Sequence, residues 1–366
     1  MGGLPSVTMA MFSLTRTTTP TSDAARLAAL ADPGFGRYYV DHMAIIDFQA
    51  GDGWQEPRIV PMTEWALHPA AAVLHYGQEI FEGLKAYRRD DDSIWLFRPE
   101  RNAARFMQSA QRMGMAVLPE ELFLDSVTEL VKLERDWVPV GENEQSLYLR
   151  PFMIASEPYL GVREANSYRF AVIATPAGPY YSEPVKLWIT PNYTRAAPGG
   201  TGTAKCGGNY AASLVATQEA YANGCSQVLW TDGAEHKWVE ECGTMNVMFV
   251  TADDELVTPA LGSILAGVTR ESILALASEH GLTPVERPIS VDEVLDGVES
   301  GQIPEVFACG TAAVVTPITG FNSPQRGVQT VADGSPGPKT RAIRQHLVDI
   351  QFGRAEDKFG WTRKVC

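Results

Sequence analysis

Residues Ala197–Tyr210 read APGGTGTAKCGGNY. Lys205 stands alone in this run of glycines and other small residues, between a strand-like segment at Val185–Thr190 and a helical one at Tyr210–Asn223. A phosphate-cradling loop needs Gly-Lys-Ser/Thr, but here Ala204 precedes the lysine and Cys206 follows it. A dinucleotide-binding turn needs G-x-G-x-x-G, but Lys205 stands where the third glycine belongs after Gly200 and Gly202. A lysine that bonds covalently to a planar carbonyl ligand needs small neighbours, and partial desolvation to keep its amine nucleophilic. The segment meets that requirement; a solvated loop lysine is the plain alternative.

A ligand of that kind, such as pyridoxal phosphate, makes further demands. Its phosphate needs backbone N–H groups, a helix N-terminus and a cation. Gly267-Val268-Thr269-Arg270 precedes an amphipathic helix, Gly310-Thr311-Ala312 forms a second turn of small residues, and Arg105 lies on a helix among apolar neighbours. Each has an ordinary reading as well, as helix capping or as a surface arginine. A pyridine nitrogen needs a carboxylate to stay protonated. Glu240 and Glu241 run into the apolar segment Cys242–Val250, where an unpartnered carboxylate is costly.

Outward from this centre, strands and helices mix without regular alternation, so the fold class is α+β. A hairpin is expected over 38–61, helices over 99–113, 125–137 (capped by Asp125), 269–280 and 338–351, and strands over 146–154, 168–175, 246–250 and 305–309. The Pro/Gly-dense stretch near 177–184 reads as a linker between a smaller domain (36–176) and a larger one (185–366). Residues 1–35 read as a leader with a short helix.

The chain has 366 residues, 45% of them apolar, and a formal net charge of −14. An acidic surface disfavours nucleic acid and anionic lipid as partners. No window is apolar enough to span a membrane, and a cytoplasmic location is expected. The five cysteines form no C-x-x-C pair, and the histidines show no metal-binding spacing.

Gly207-Gly208-Asn209-Tyr210 after Lys205, and Glu241–Asn246 (ECGTMN), resemble the fold-type IV pyridoxal-phosphate aminotransferases. His75-Tyr76, Phe81–Tyr87 (FEGLKAY), Leu147–Pro151 (LYLRP), Glu157–Val162 (EPYLGV), Gly178-Pro179-Tyr180, Gly267–Arg270 and Gly310–Ala313 resemble the branched-chain amino acid aminotransferases in order and spacing. The resemblance implies a two-domain architecture with pyridoxal 5′-phosphate in the interdomain cleft. It implies transfer of the amino group of leucine, isoleucine or valine to 2-oxoglutarate, and a homodimer. By the same resemblance Lys205 carries the cofactor and moves a proton, Glu241 pairs with the ring nitrogen, and Tyr210 bonds the ring hydroxyl. Arg105, Val268, Thr269 and Thr311 hold the phosphate. Thr244, Ala312 and Ala313 lie near the substrate carboxylate, and Phe81, Tyr148 and Tyr180 wall the side-chain pocket. Tyr76, Leu160 and Val162 reach the pocket at or across the dimer interface, and Arg150 accepts the distal carboxylate of glutamate. Mammalian members carry a C-x-x-C whose positions here are Ala313 and Thr316, so thiol regulation of that kind is not expected. A D-amino acid aminotransferase or an aminodeoxychorismate lyase shares fold and cofactor. A non-catalytic cofactor carrier is the alternative of another class, disfavoured by the presence of Glu241.

Overall fold

The computed structural model describes residues 12–141, 144–179 and 183–366. Tyr180 and part of the linker stretch lie outside them. Among the described residues two large sheets organise the chain, each joined by strands from distant parts of the sequence.

The first sheet runs Ser13–Leu14, Gly53–Pro61, His42–Gln49, Ser167–Ala177, Ser146–Ala155, Leu84–Arg88, Ile94–Phe97 and Thr362–Lys364, with Glu79–Phe81 paired to Ser146–Ala155. Its longest ladder pairs Ser146–Ala155 antiparallel with the next strand in sequence, from Ser146↔Ala177 to Ala155↔Tyr168. The final strand returns from the far end of the chain to pair with Ile94–Phe97, so the sheet draws on both ends of the described sequence.

Helices Pro99–Arg112 and Glu120–Leu133 cover one face of this sheet. Phe106, Phe123 and Phe170 meet there, with the Phe106 ring centroid 5.4 Å from each of the other two. Pro99–Arg112 carries two rows at helical spacing. Ala103, Phe106 and Ala110 enter the core, while Asn102, Arg105 and Ser109 form a buried polar row beside it. The second of these helices begins at Glu120, so Asp125 lies in its interior rather than at its cap.

The second sheet runs Val239–Cys242, Gln227–Thr231, Val185–Ile189, Val314–Ser323, Glu305–Gly310, Asn246–Val250, Glu255–Thr258 and Thr283–Glu286, with Gly327–Thr330 on Val314–Ser323. It is mixed: Val185–Ile189 is parallel to both neighbours, while Glu305–Gly310 is antiparallel to both of its own. The fold is α+β. Helix Pro338–Phe352 packs Ile343, Leu347 and Ile350 into a cluster that also takes Tyr87 and Phe97 from the first sheet. That shared core fixes the two sheets around a cavity.

Candidate active site

The cavity measures about 380 Å³ and is lined from both sheets and the loops between them. Lys205 enters it from the glycine-rich run. Asn209 stitches that run into a tight loop: its Nδ2 donates to the carbonyls of Thr201 and Ala204, each at 2.9 Å, and its Oδ1 accepts from the Thr201 hydroxyl at 2.7 Å. Gly202 is obligatory, because a Cβ there would lie 2.0 Å from the Ser263 carbonyl. The lysine backbone is clamped on both sides. Its N–H donates to Ser109 Oγ at 3.0 Å, and its carbonyl accepts from the Phe81 N–H at 2.9 Å. The Lys205 amine donates to the Tyr210 hydroxyl at 2.7 Å, and the ring of Phe81 packs 4.9 Å from that of Tyr210.

Arg105 reaches the cavity from the polar row. Its Nε and Nη2 donate to the two oxygens of Glu82 at 2.7 and 2.9 Å, and its Nη1 to the Ala266 carbonyl at 3.0 Å. Guanidinium donors remain for a ligand. Glu82 is fully buried, which alone would raise its carboxyl. Arg105, with Lys205 and Asn102 behind it, outweighs burial and holds Glu82 below the usual carboxylate range. Facing Arg105, helix Val268–Leu276 begins at the cavity with Gly267 before its first turn. A Cβ on Gly267 would lie 2.0 Å from Asn246 Oδ1. The backbone N–H groups of Val268 and Thr269 are free of capping side chains, and a helix terminus of this kind can take an anion.

Glu241 lies on the strand Val239–Cys242 and is 4% exposed. It accepts from Asn246 Nδ2 at 3.1 Å, and its other oxygen lies 2.5 Å from Arg195 Nε. That nitrogen points off the hydrogen-bond direction, so the contact is an ion pair rather than an aligned bond. Burial pushes the Glu241 carboxyl up to about 7 despite Arg195, and the neighbouring Glu240 pushes the same way. The carboxylate thus lacks a full counter-charge, which a protonated ring nitrogen would supply.

Thr311, Ala312 and Ala313 line the cavity in the turn between Glu305–Gly310 and Val314–Ser323, and Thr244 lies at its edge. Phe81, Tyr148 and Arg150 form an adjoining wall. The Arg150 guanidinium sits 4.8 Å over the Phe81 ring and donates to the Tyr148 hydroxyl at 3.2 Å. Gly83 makes room for that hydroxyl, since a Cβ there would come within 2.0 Å of it. Tyr76, Leu160 and Val162 are exposed and outside the cavity of a single chain, with the Tyr76 hydroxyl bonded to the Leu160 carbonyl. Tyr180 lies outside the described residues.

Five contributors were not expected from the sequence. Glu82 lies inside the FEGLKAY run, and Arg195 stands ten residues before Lys205, but neither announces its partner. Asn246 and Ser109 act through backbone and carboxylate contacts. Phe35 lines the cavity edge-on to Tyr148, centroids 4.9 Å apart. It stands between Gly34 and Gly36, both left-handed, in a segment read as leader. Cys206, Cys242 and Cys309 are buried. Burial pushes the Cys242 thiol well up and the Cys309 thiol up to about 12, so Cys242 and Cys309 are poor nucleophiles.

Residues 79–321 match the family model for amino-transferase class IV. The branched-chain-amino-acid aminotransferase of Mycolicibacterium smegmatis is 50% identical over 361 residues, covering 97% of this chain and 98% of that protein. The crystal structure of the Escherichia coli branched-chain amino acid aminotransferase superposes with a TM-score of 0.73 at 27% identity, over 88% of this chain and all of that one. A third branched-chain amino acid aminotransferase, from T.th. and solved with pyridoxamine 5′-phosphate, gives 0.71 at 27% identity, over 88% of this chain and 99% of that one. With a matching family model, a relative identical at half of its positions and a shared fold, this chain is an enzyme of the class IV aminotransferases and belongs to their branched-chain-amino-acid aminotransferase family.

Proposed function

We propose that the enzyme moves the amino group of leucine, isoleucine or valine, as L-amino acids, to 2-oxoglutarate, using pyridoxal 5′-phosphate. The observation that carries this reading is the placing of three unlike chemistries around one cavity. A half-buried lysine bonded to a tyrosine, a buried carboxylate, and a helix terminus beside an arginine line the same space. They answer the aldehyde, ring nitrogen and phosphate of one cofactor. When bound, that cofactor supplies a carbonyl that takes the amino group and a protonated ring that accepts an electron pair.

Lys205 would hold the cofactor covalently, and its amine would move the proton at the substrate Cα. Tyr210 orients the lysine amine through its hydroxyl, and that hydroxyl would bond the cofactor ring oxygen. Glu241 keeps the ring nitrogen protonated, and Asn246 and Arg195 hold its carboxylate in place. Arg105, the Val268 N–H, Thr269 and Thr311 hold the phosphate. Phe81, Tyr148 and Phe35 surround an aliphatic side chain and exclude water, a wall to which Tyr180 belongs by the family resemblance alone, while Arg150 and the Tyr148 hydroxyl take the distal carboxylate of glutamate. Thr244 and the Ala312-Ala313 turn receive the α-carboxylate. The division into domains at 177–184 belongs to the same reading, as does a homodimer in which a second copy covers Tyr76, Leu160 and Val162.

The test is to incubate the enzyme with L-leucine and 2-oxoglutarate and quantify L-glutamate and 4-methyl-2-oxopentanoate. Equimolar products, lost in Lys205→Ala, are expected. Undiminished turnover in that variant, or no product from wild type, overturns the reading.

A further inference from the structure

The turn that receives the α-carboxylate in the reading above has a second side. Ala312 and Ala313 line the active-site cavity, and both also line a separate cavity of about 290 Å³ behind it. Lys85 reaches into this rear cavity from the strand Leu84–Arg88 of the other sheet. Its amine donates to the Ala312 carbonyl at 3.0 Å, and the residue is 5% exposed.

Several features single this contact out. A buried ammonium is costly, and a chain of methylenes would fill the same space without a charge. Burial lowers Lys85 to about 8; Glu144 opposes this and Arg344 adds to it. Those two residues form a bidentate ion pair close by, with Arg344 Nη2 at 2.6 Å from Glu144 Oε2. Arg344 Nε also donates to the Val315 carbonyl at 3.2 Å. Between the two anchored carbonyls lies Val314, at φ +57. A β-branched residue rarely adopts that conformation, and it persists only where the surroundings impose it. The turn is therefore held in shape from behind, by charged groups that do not line the front cavity.

The geometry of the peptide unit says what this achieves. The carbonyl of Ala312 and the N–H of Ala313 belong to one planar trans unit and point in opposite directions. Fixing the carbonyl in the rear cavity aims the N–H at the front one. A positive charge on the carbonyl also polarises the unit and strengthens that N–H as a donor to an anion. We propose that Lys85 is a positioning residue for the substrate α-carboxylate, acting from the rear cavity through the Ala312–Ala313 peptide. The proposal rests on the aminotransferase reading of the front cavity.

The test compares two probes of equal shape and different charge, 4-methylvalerate and 4-methylpentanamide. Both are titrated by calorimetry into the cofactor-loaded wild type, Lys85→Met and Lys85→Arg. Lys85→Met is expected to weaken 4-methylvalerate by about tenfold and 4-methylpentanamide by less than about twofold, and Lys85→Arg to recover most of the loss. Equal weakening of both probes, or no weakening of 4-methylvalerate, overturns the proposal. If Lys85→Met does not fold, Lys85→Gln, which keeps a neutral donor, is held to the same comparison. The wild type's response to L-leucine separates the two levels. If L-leucine is deaminated and the probes fail to discriminate the variants, only the role of Lys85 falls. If wild type takes neither L-leucine nor 4-methylvalerate, the functional reading falls and this proposal with it.

Discussion

Glu241 and Arg195 meet 2.5 Å apart with both side chains buried, yet burial still leaves the Glu241 carboxyl at about 7. One arginine faces two adjacent acids, Glu240 and Glu241, and burial raises both. The site is thus short of positive charge, as the proposed pairing of Glu241 with a protonated ring nitrogen requires.

A pH dependence of the apoprotein follows. A carboxyl raised by folding binds its proton more tightly in the folded state, so its contribution to stability is full below about 4.5 and lost as pH rises through about 7. Glu241→Gln has no such term. Urea denaturation of both apoproteins at about pH 5 and about pH 8 is expected to move in the variant's favour at the higher pH, by up to roughly 3 kcal/mol. A difference that stays constant with pH contradicts this. In the loaded enzyme the same variant slows turnover while retaining cofactor, because the phosphate site is untouched.

Glu82 poses the opposite electrostatics. Arg105 depresses its carboxyl, so its stabilisation is present above about 4.5 and lost as pH falls through the depressed folded value. Glu82→Ala leaves the Arg105 charge buried without its carboxylate, at a cost of about 3–5 kcal/mol. Urea denaturation of the apoprotein near neutral pH measures it; a loss below about 1 kcal/mol contradicts the pairing.

Gly267→Ala would put a Cβ 2.0 Å from Asn246 Oδ1, and Asn246 holds Glu241. The substitution is expected to cost about 1–3 kcal/mol and to weaken cofactor retention on dialysis. Wild-type retention and stability would show that the backbone yields there without consequence.

Phe35→Ala opens the aliphatic wall beside Tyr148. The KM for L-leucine is expected to rise roughly three- to tenfold, with a smaller change for L-glutamate, whose distal carboxylate Arg150 is proposed to hold. Equal changes for both substrates contradict a wall specific to aliphatic side chains.

Much of the site was legible because local sequence carries it. The small residues around Lys205, the Gly-Val-Thr entry to a helix and the acid-rich entry to an apolar strand each state a local requirement. All three reach the cavity. The pairings were not legible. Glu82 meets Arg105 across 23 residues, and Lys85 meets Ala312 across 227, and no periodicity encodes such contacts. Phe35 was hidden because a polar, Ser/Thr-rich approach reads as a solvated leader, whereas two left-handed glycines deliver the ring to the cavity. Helix extents suffered the same way. The helix expected over 210–223 is two, Gly207–Ala211 and Leu214–Ala222, because the first turn belongs to the lysine loop.

The central claim is tested most directly by the visible absorption spectrum of the purified enzyme, recorded before and after L-leucine and, separately, D-alanine, with no oxo acid present. The account predicts a cofactor band that L-leucine alone converts, D-alanine leaves unchanged, and Lys205→Ala does not retain after dialysis. Conversion by D-alanine alone would contradict the substrate reading, and the lack of any band even after adding pyridoxal 5′-phosphate would contradict the central claim.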